Sequence, residues 1–208
     1  MLILKTLNNK TLLWLKISIF LLAVLPLAKL VYGAYYHALG ANPVEKITHV
    51  SGYWTLIFLL ITLTITPLRR LSGWSWLVRL RRMFGLFAFF YGCLHFLTYL
   101  VLDQFFDWRT IIEDVVKRPY ITIGFASFLL LIPLAITSID WMMKLLGGKR
   151  WRLLHRLIYP IAIGGVVHYW WSVKKDISQP VIFALLLALL LAVRLFYWLR
   201  GLLKSKSI

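Results

Sequence analysis

The chain has 208 residues, of which 61% are apolar and 15% are charged. Soluble domains are about 45–50% apolar and about 25% charged, and a domain of this size has too little interior to bury the excess. These values exclude a soluble enzyme and an intrinsically disordered chain. The single cysteine, Cys93, also excludes a disulfide framework and a cysteine-ligated zinc or iron–sulfur site.

Six segments along the chain are long and apolar enough for transmembrane helices, which need about 20 residues each. They are approximately Leu12–Leu30, Val50–Pro67, Met83–Leu102, Tyr120–Ile139, Leu154–Trp171 and Val181–Leu199. None shows the alternation of a transmembrane β-barrel. The predicted fold is therefore all-α, a bundle of six transmembrane helices that forms a single domain over residues 1–208. In the loop Asp103–Arg118, a short amphipathic helix is predicted from the spacing of Trp108, Ile111, Ile112 and Val115.

The distribution of charge predicts how the bundle is oriented. The net charge is +17, from 24 Lys and Arg against 7 Asp and Glu. With a cytoplasmic N-terminus, 17 basic residues fall in cytoplasmic segments and 6 in outer ones, while Lys29 lies within the first span. Basic residues are enriched on the cytoplasmic side of membrane proteins, so both termini are predicted to be cytoplasmic. This distribution explains the charge without a nucleic-acid partner.

Two histidines are predicted to lie inside the bilayer. His95 and His168 fall in the third and fifth spans, which run in the same direction, and both are expected in the outer half at similar depth. Gly92 and Gly165 precede them by one helical turn, where the missing side chain would let a flat group approach. Because imidazole is an axial ligand of haem iron, the pattern predicts a bis-histidine haem site. The alternative is that the histidines only join closely packed helices by hydrogen bonds.

A basic cluster is predicted on the cytoplasmic side of the same two spans. It contains Arg81, Arg82 and His155, and the last lies about 20 Å from His168 along a helix. A second bis-histidine haem would need a partner histidine where the chain has Arg81 and Arg82, so a second haem site is incomplete. Topology and contact with anionic lipid explain the cluster. A site for haem propionates, a quinone head or a flavin phosphate is the other interpretation.

Several short motifs follow one another in a characteristic order. They are LGANPV at 39–44, ITPL at 65–68, RRMFGL at 81–86, LH at 94–95, RPYITIG at 118–124, WRLLHRLIY at 151–159, HY at 168–169 and WSVK at 171–174. In this order, along six spans, they resemble the MsrQ (YedZ-type) family within the ferric-reductase-like transmembrane group. Members of this family are haem-binding membrane subunits of periplasmic methionine-sulfoxide reductase systems.

The resemblance implies a function in electron transport. Electrons would pass from the quinone pool of the bacterial inner membrane, through b-type haem, to a periplasmic molybdenum-cofactor (molybdopterin) subunit. That partner would reduce methionine sulfoxide in oxidised proteins. The resemblance also implies FMN, and it matches His95, His155 and His168 with the haem-associated histidines of the family. We expect this chain to have no substrate-reducing site of its own.

Two other functions stay open from the sequence. A stand-alone ferric reductase would need a flavin and nicotinamide domain, and we expect none because the chain continues only briefly after Leu199. A transporter or membrane scaffold would use its histidines only to join helices. The visible spectrum of the purified protein distinguishes these functions, because only a haem protein has a Soret band.

Overall fold

The computed structural model describes residues 7–173 and 175–205. Within them the chain forms eight α-helices, and the described part of the fold is all-α. The helices are α1 (Asn9–Tyr35), α2 (Pro43–Ser72), α3 (Val78–Leu97), α4 (Trp108–Lys117), α5 (Pro119–Ile136), α6 (Asp140–Leu154), α7 (Ile158–Ser172) and α8 (Ser178–Ser205). Three basic residues of the charge distribution, Lys5, Lys174 and Lys206, lie outside the described residues. The last residue of the motif at 171–174 does so as well.

Among the described residues, five helical segments are long and apolar enough to cross a membrane. They are α1, α2, the continuous segment Ser75–Asp103 that contains α3, α5 and α8. The protein is therefore a multi-pass helical membrane protein. The fifth predicted span, Leu154–Trp171, corresponds to α7, which has only 15 residues and a length of about 22 Å. Its first residues belong instead to the end of α6 and to a 3-10 turn at His155–Leu157. Five of the six predicted spans are thus supported by length and composition. The fifth predicted span, Leu154–Trp171, and the cytoplasmic location of the termini stay predictions.

Local capping fixes the ends of α2. The Asn42 side-chain oxygen accepts from the Glu45 backbone N–H at 3.2 Å, and its amide donates to the Glu45 carboxylate at 3.0 Å. Pro43 occupies the first turn, where no backbone donor is needed. At the other end, Gly73 has a φ of 75° and donates its N–H to the Arg69 carbonyl. These caps let α2 run for 30 residues through the centre of the bundle.

α4 forms in the loop where the spacing of apolar residues predicts a short helix. Asp107 caps it by accepting from the Thr110 hydroxyl at 2.8 Å and from two backbone N–H groups. These bonds, the one from the Thr110 hydroxyl above all, hold the pKa of Asp107 below its usual range. Before the cap, Phe105 and Phe106 have φ values of 47° and 61°, in the left-handed region where bulky residues are rare. The chain reverses at these residues and lays α4 against α5.

The core lies around α2, which packs against α1, α3, α7 and α8, while α5 packs against α3 and α7. Phe58 of α2 stacks on Phe87 and Tyr91 of α3 with ring centres 5.3 and 5.6 Å apart. Tyr91 is fully buried, and its hydroxyl donates to the Ala23 carbonyl of α1 at 2.7 Å. Large apolar side chains on α1 and α8 stay exposed on the outside of the bundle. An exposed apolar surface of this extent is typical of helices that face lipid.

Candidate functional site

A cavity opens at the end of the bundle where α4 lies, which we call the α4 end. Its volume is about 600 Å³, within the range of small-molecule and cofactor sites. The walls come from α2, α3, α5 and α7, and α4 lines the mouth. Apolar side chains dominate the lining, among them Leu56, Leu59, Phe96, Phe125, Phe128, Leu131, Trp108, Ile111 and Val115. Such walls keep water away from whatever binds inside.

His95 of α3 and His168 of α7 lie next to each other in this cavity. Their ring centres are 5.9 Å apart, and the ring planes are inclined at 79°. Two imidazoles that each hold one metal ion at about 2 Å have ring centres roughly 6 Å apart. The observed spacing therefore fits two ligands of a single metal, as well as two imidazoles in edge-to-face contact.

The backbone fixes the protonation state of both rings. His95 Nδ1 lies 2.9 Å from the Thr48 carbonyl oxygen, and His168 Nδ1 lies 2.7 Å from the Tyr120 carbonyl oxygen. A carbonyl only accepts, so each Nδ1 carries the proton and donates, and each Nε2 keeps its lone pair. Metal-binding histidines are held in this way by a hydrogen bond from their other nitrogen. Both rings are thus oriented so that Nε2 is the nitrogen with a free lone pair.

A glycine makes room for each ring. A Cβ built on Gly52 would lie 3.0 Å from His95 Nδ1, and one on Gly124 would lie 2.5 Å from His168 Nδ1. In both cases the glycine follows the accepting carbonyl, of Thr48 or Tyr120, by four residues. α2 and α5 therefore support the two histidines in the same manner, with a carbonyl and, one turn later, a bare backbone. None of these four residues is among the predicted site residues, although a glycine inside an apolar span is a signal of close approach.

Gly92 and Gly165, which the sequence analysis selected, also line the cavity. A Cβ on Gly92 would make an ordinary contact of 3.6 Å with Leu131, whereas one on Gly165 would lie 3.0 Å from Leu56. Neither Cβ would meet a histidine ring. The space for the imidazoles comes from the neighbouring helices instead.

His155 lies at the opposite end of the bundle, next to α6, which we call the α6 end. Its Nε2 is hydrogen-bonded to the Thr137 hydroxyl at 3.1 Å, and its ring stacks on Trp151 at 4.0 Å. Arg81 lies close enough to His155 for their charges to interact, and Arg82 forms an ion pair with Asp140. The structure thus brings His95, His168, Gly92 and Gly165 together and keeps His155, Arg81 and Arg82 apart from them.

Charged side chains meet at the mouth of the cavity. Arg118 Nε lies 3.1 Å from an Asp114 carboxylate oxygen, and the Tyr99 hydroxyl donates to the other oxygen at 3.2 Å. Tyr99 belongs to a π-helical stretch, Thr98–Asp103, that continues α3. A hydrogen bond to the Tyr120 hydroxyl and the charge of Asp114 raise the pKa of Arg118 above its ordinary value. Arg118 therefore stays charged at the edge of an apolar cavity.

Residues 50–166 match the family model described as ferric reductase like transmembrane component. A protein of Herminiimonas arsenicoxydans is 58% identical over 185 residues, which cover 88% of this chain and 85% of that protein. A protein of Rhodospirillum rubrum is 57% identical over 182 residues, which cover 86% of this chain and 86% of that protein. A protein of Ralstonia nicotianae is 47% identical over 194 residues, which cover 92% of this chain and 89% of that protein. The chain belongs to the MsrQ family. All three relatives carry the name protein-methionine-sulfoxide reductase haem-binding subunit MsrQ, so the family resemblance predicted from the motifs is confirmed.

Proposed function

We propose that this protein is the haem-carrying electron-transfer subunit of a periplasmic methionine-sulfoxide reductase system in the bacterial inner membrane. The observation that carries the proposal is the pair His95 and His168, with ring centres 5.9 Å apart and both Nδ1 atoms bonded to backbone carbonyls. The names of the relatives, which specify a haem-binding subunit, support it.

The residues of the α4-end cavity fit a b-type haem. Two neutral imidazoles are a common axial pair for haem iron, and bound iron would supply one-electron redox chemistry. The chain contributes Nε2 of His95 and of His168, apolar walls that exclude water, and bare backbone at Gly92 and Gly165 for the face of the ring. The bonds from the two Nδ1 atoms join α3 to α2 and α7 to α5, so a helix-joining role accounts for one nitrogen of each ring. It gives no function to the two Nε2 atoms, which the proposal assigns to a metal.

Electrons are proposed to enter at the α6 end and leave at the α4 end. The α6 end carries Arg81, Arg82 and His155, and we assign it to membrane quinol and a second cofactor, which the family resemblance suggests is FMN. The Nε2 atom of His155 is already bonded to the Thr137 hydroxyl, so iron ligation by this atom would require that bond to break. Binding of an anionic group of the cofactor at this end is assigned to Arg81 and Arg82. The α4 end would face the periplasm, where a molybdopterin-containing partner would accept the electrons and repair oxidised proteins.

Histidine variants test the haem site. His95→Ala or His168→Ala leaves one protein ligand, so the haem should be lost or become high-spin. His155→Ala should keep the low-spin spectrum of the α4-end haem and slow its reduction by quinol. The measurements are reduced-minus-oxidised spectra and haem per protein for the three variants. A colourless wild-type preparation with full helical content would refute the proposal, and so would loss of all haem in His155→Ala alone.

Reoxidation by the partner tests the direction of electron flow. Membranes that lack the periplasmic subunit should hold the haem reduced when quinol is supplied, since the proposed acceptor of the electrons is then missing. Adding the partner together with methionine sulfoxide should reoxidise it, and adding either alone should not. Rapid turnover of methionine sulfoxide by this chain without the partner would contradict the assignment.

A further inference from the structure

The α4-end cavity has a single strongly basic residue among the described residues that line it. Besides histidines, its charged lining residues are Arg118 and Asp103. The side chain of Arg118 is about half exposed, while most other residues that line the cavity are apolar. The cationic charge at the mouth of the cavity therefore comes from one side chain.

Arg118 is held in place by its neighbours. Asp114 accepts from Nε, and only 8% of the Asp114 side chain is exposed. The second Asp114 oxygen accepts from Tyr99, which lies one turn beyond His95 on the same helix. Together with the hydrogen bond from Arg118 to the Tyr120 hydroxyl, the contact with Asp114 occupies only some of the five N–H donors of the guanidinium. The remaining N–H groups are free to bind an anion, and the fork they form matches a carboxylate.

We propose that Arg118 binds a propionate carboxylate of the porphyrin held between His95 and His168, and that Asp114 is its positioning residue. This inference rests on the proposed function, because a b-type haem carries propionate side chains at one edge of its ring. The segment 118–124 then has three tasks at one site. Its first residue binds the carboxylate, the Tyr120 carbonyl orients the His168 ring, and Gly124 makes room for that ring.

The orientation of the bound ring follows from this contact. Arg118 lies at the junction of α4 and α5, at the mouth of the cavity, so it would hold the propionate there, and Leu131 and Ile161 would be among the apolar residues available to the rest of the ring. Among anions of similar chemistry, a phospholipid phosphate could also meet a guanidinium at this depth. The following experiment separates the two sources.

The test compares natural haem with iron protoporphyrin dimethyl ester, in which the propionate carboxylates are neutral esters. Wild type, Arg118→Gln and Arg118→Lys are loaded with each porphyrin, together with Arg109→Gln as the matched control. Arg109 is an exposed arginine on α4 that does not line the cavity. The readouts are the rate at which haem passes to an excess of a haem-scavenging apoprotein and the midpoint potential of the iron.

With natural haem, Arg118→Gln should release the porphyrin about tenfold faster, because a charge-assisted hydrogen bond is lost. Its midpoint potential should fall, because a nearby positive charge favours the reduced iron. Arg118→Lys should recover part of both effects, and Arg109→Gln should match wild type. With the dimethyl ester, Arg118→Gln and wild type should behave alike. Asp114→Asn should speed release of natural haem in the wild-type background and add nothing to Arg118→Gln.

Three outcomes would overturn the inference. Arg118→Gln could have no effect with natural haem, it could have the same effect with the ester, or its effect could depend on anionic lipid in the membrane. The last result would assign Arg118 to a lipid phosphate. In each of these cases the wild type still binds low-spin haem and the proposed function stands. A wild type that binds no haem would instead overturn the proposed function together with this inference.

Discussion

Gly52 and Gly124 leave the space that the rings of His95 and His168 occupy. Gly124→Ala would place a Cβ 2.5 Å from His168 Nδ1, so the ring would have to move and lose its bond to the Tyr120 carbonyl. Overpacking of this kind costs about 1–3 kcal/mol. We expect this variant to lose the low-spin haem spectrum or to retain haem much more weakly, as measured by absorption and electron paramagnetic resonance spectra.

Gly201→Ala is the matched control for this variant, because a Cβ there would have no neighbour within 4 Å. It should bind haem like wild type. Gly52→Ala should behave like Gly124→Ala in direction and be milder, because its nearest contact with the His95 ring is 3.0 Å. An unchanged low-spin spectrum in Gly124→Ala would show that the ring does not depend on the space at that glycine.

Only some of the residues of this site can be predicted from the sequence. Depth and helix direction were enough to predict that His95 and His168 lie side by side. Gly92 and Gly165 were found because they share a helix with the histidines. Gly52 and Gly124 act from other helices, and a sequence alone does not give the rotation of one helix against another. The hydrogen bonds to Thr48 and Tyr120 were missed for the same reason.

At the scale of elements, Pro67 in α2 explains why Arg194 in α8 donates a hydrogen bond to the backbone of α2. Pro67 lies inside α2 and has no N–H, so it cannot donate to the Leu63 carbonyl one turn earlier. The guanidinium of Arg194 donates to that carbonyl instead and lies 5.4 Å from the ring centre of Tyr159. A buried carbonyl without a donor is costly. Arg194 therefore supplies the hydrogen bond that the Leu63 carbonyl lacks within α2, and this bond links α8 to α2.

A double-mutant cycle tests this link. Arg194→Met leaves the Leu63 carbonyl without a donor, and it should lower the free energy of unfolding in detergent by about 1–3 kcal/mol. Pro67→Ala restores a backbone N–H, so the same arginine substitution should cost less in that background. Arg200→Met, an exposed position on the same helix, is the control. An equal cost of Arg194→Met in both backgrounds would place its contribution elsewhere, for example at Tyr159.

The elements that sequence reasoning predicted well are those with one clear physical signal. Long apolar runs gave α1, α2, α5 and α8, and a regular apolar spacing gave α4. α6 was not predicted as a helix, because its sequence is charged and a left-handed Gly147, with a φ of 72°, interrupts it. The fifth predicted span begins with the last residue of α6 and the 3-10 turn at His155–Leu157 rather than with α7, because hydropathy does not register such a turn.

At the scale of the whole molecule, the two candidate sites lie at opposite ends of α5. His155 bonds to Thr137, just after the end of α5, and His168 bonds to the Tyr120 carbonyl in its first turn. The segment from His155 to His168 therefore runs along the full length of α5, which is one of the five segments able to span a membrane. Although α7 is short, it and the turn before it cover the same depth as α5. This argues that the segment 155–172 crosses the bilayer.

Reporter fusions test this arrangement together with the orientation of the bundle. Because most basic residues cluster where α2 ends and α3 begins, around α6 and in the last part of α8, fusions after Ser72 and Gly148 should report a cytoplasmic location. Fusions after Asp107 and Asp176 should report a periplasmic one. The measurement pairs alkaline phosphatase, active only outside the cytoplasm, with a fluorescent protein that matures only inside it. The fusions after Gly148 and Asp176 decide whether the segment 155–172 crosses, because it is the helical segment that follows α6 and precedes Asp176. If both report the same side, that segment does not cross, and the haem proposed at His168 loses its place near the periplasmic surface.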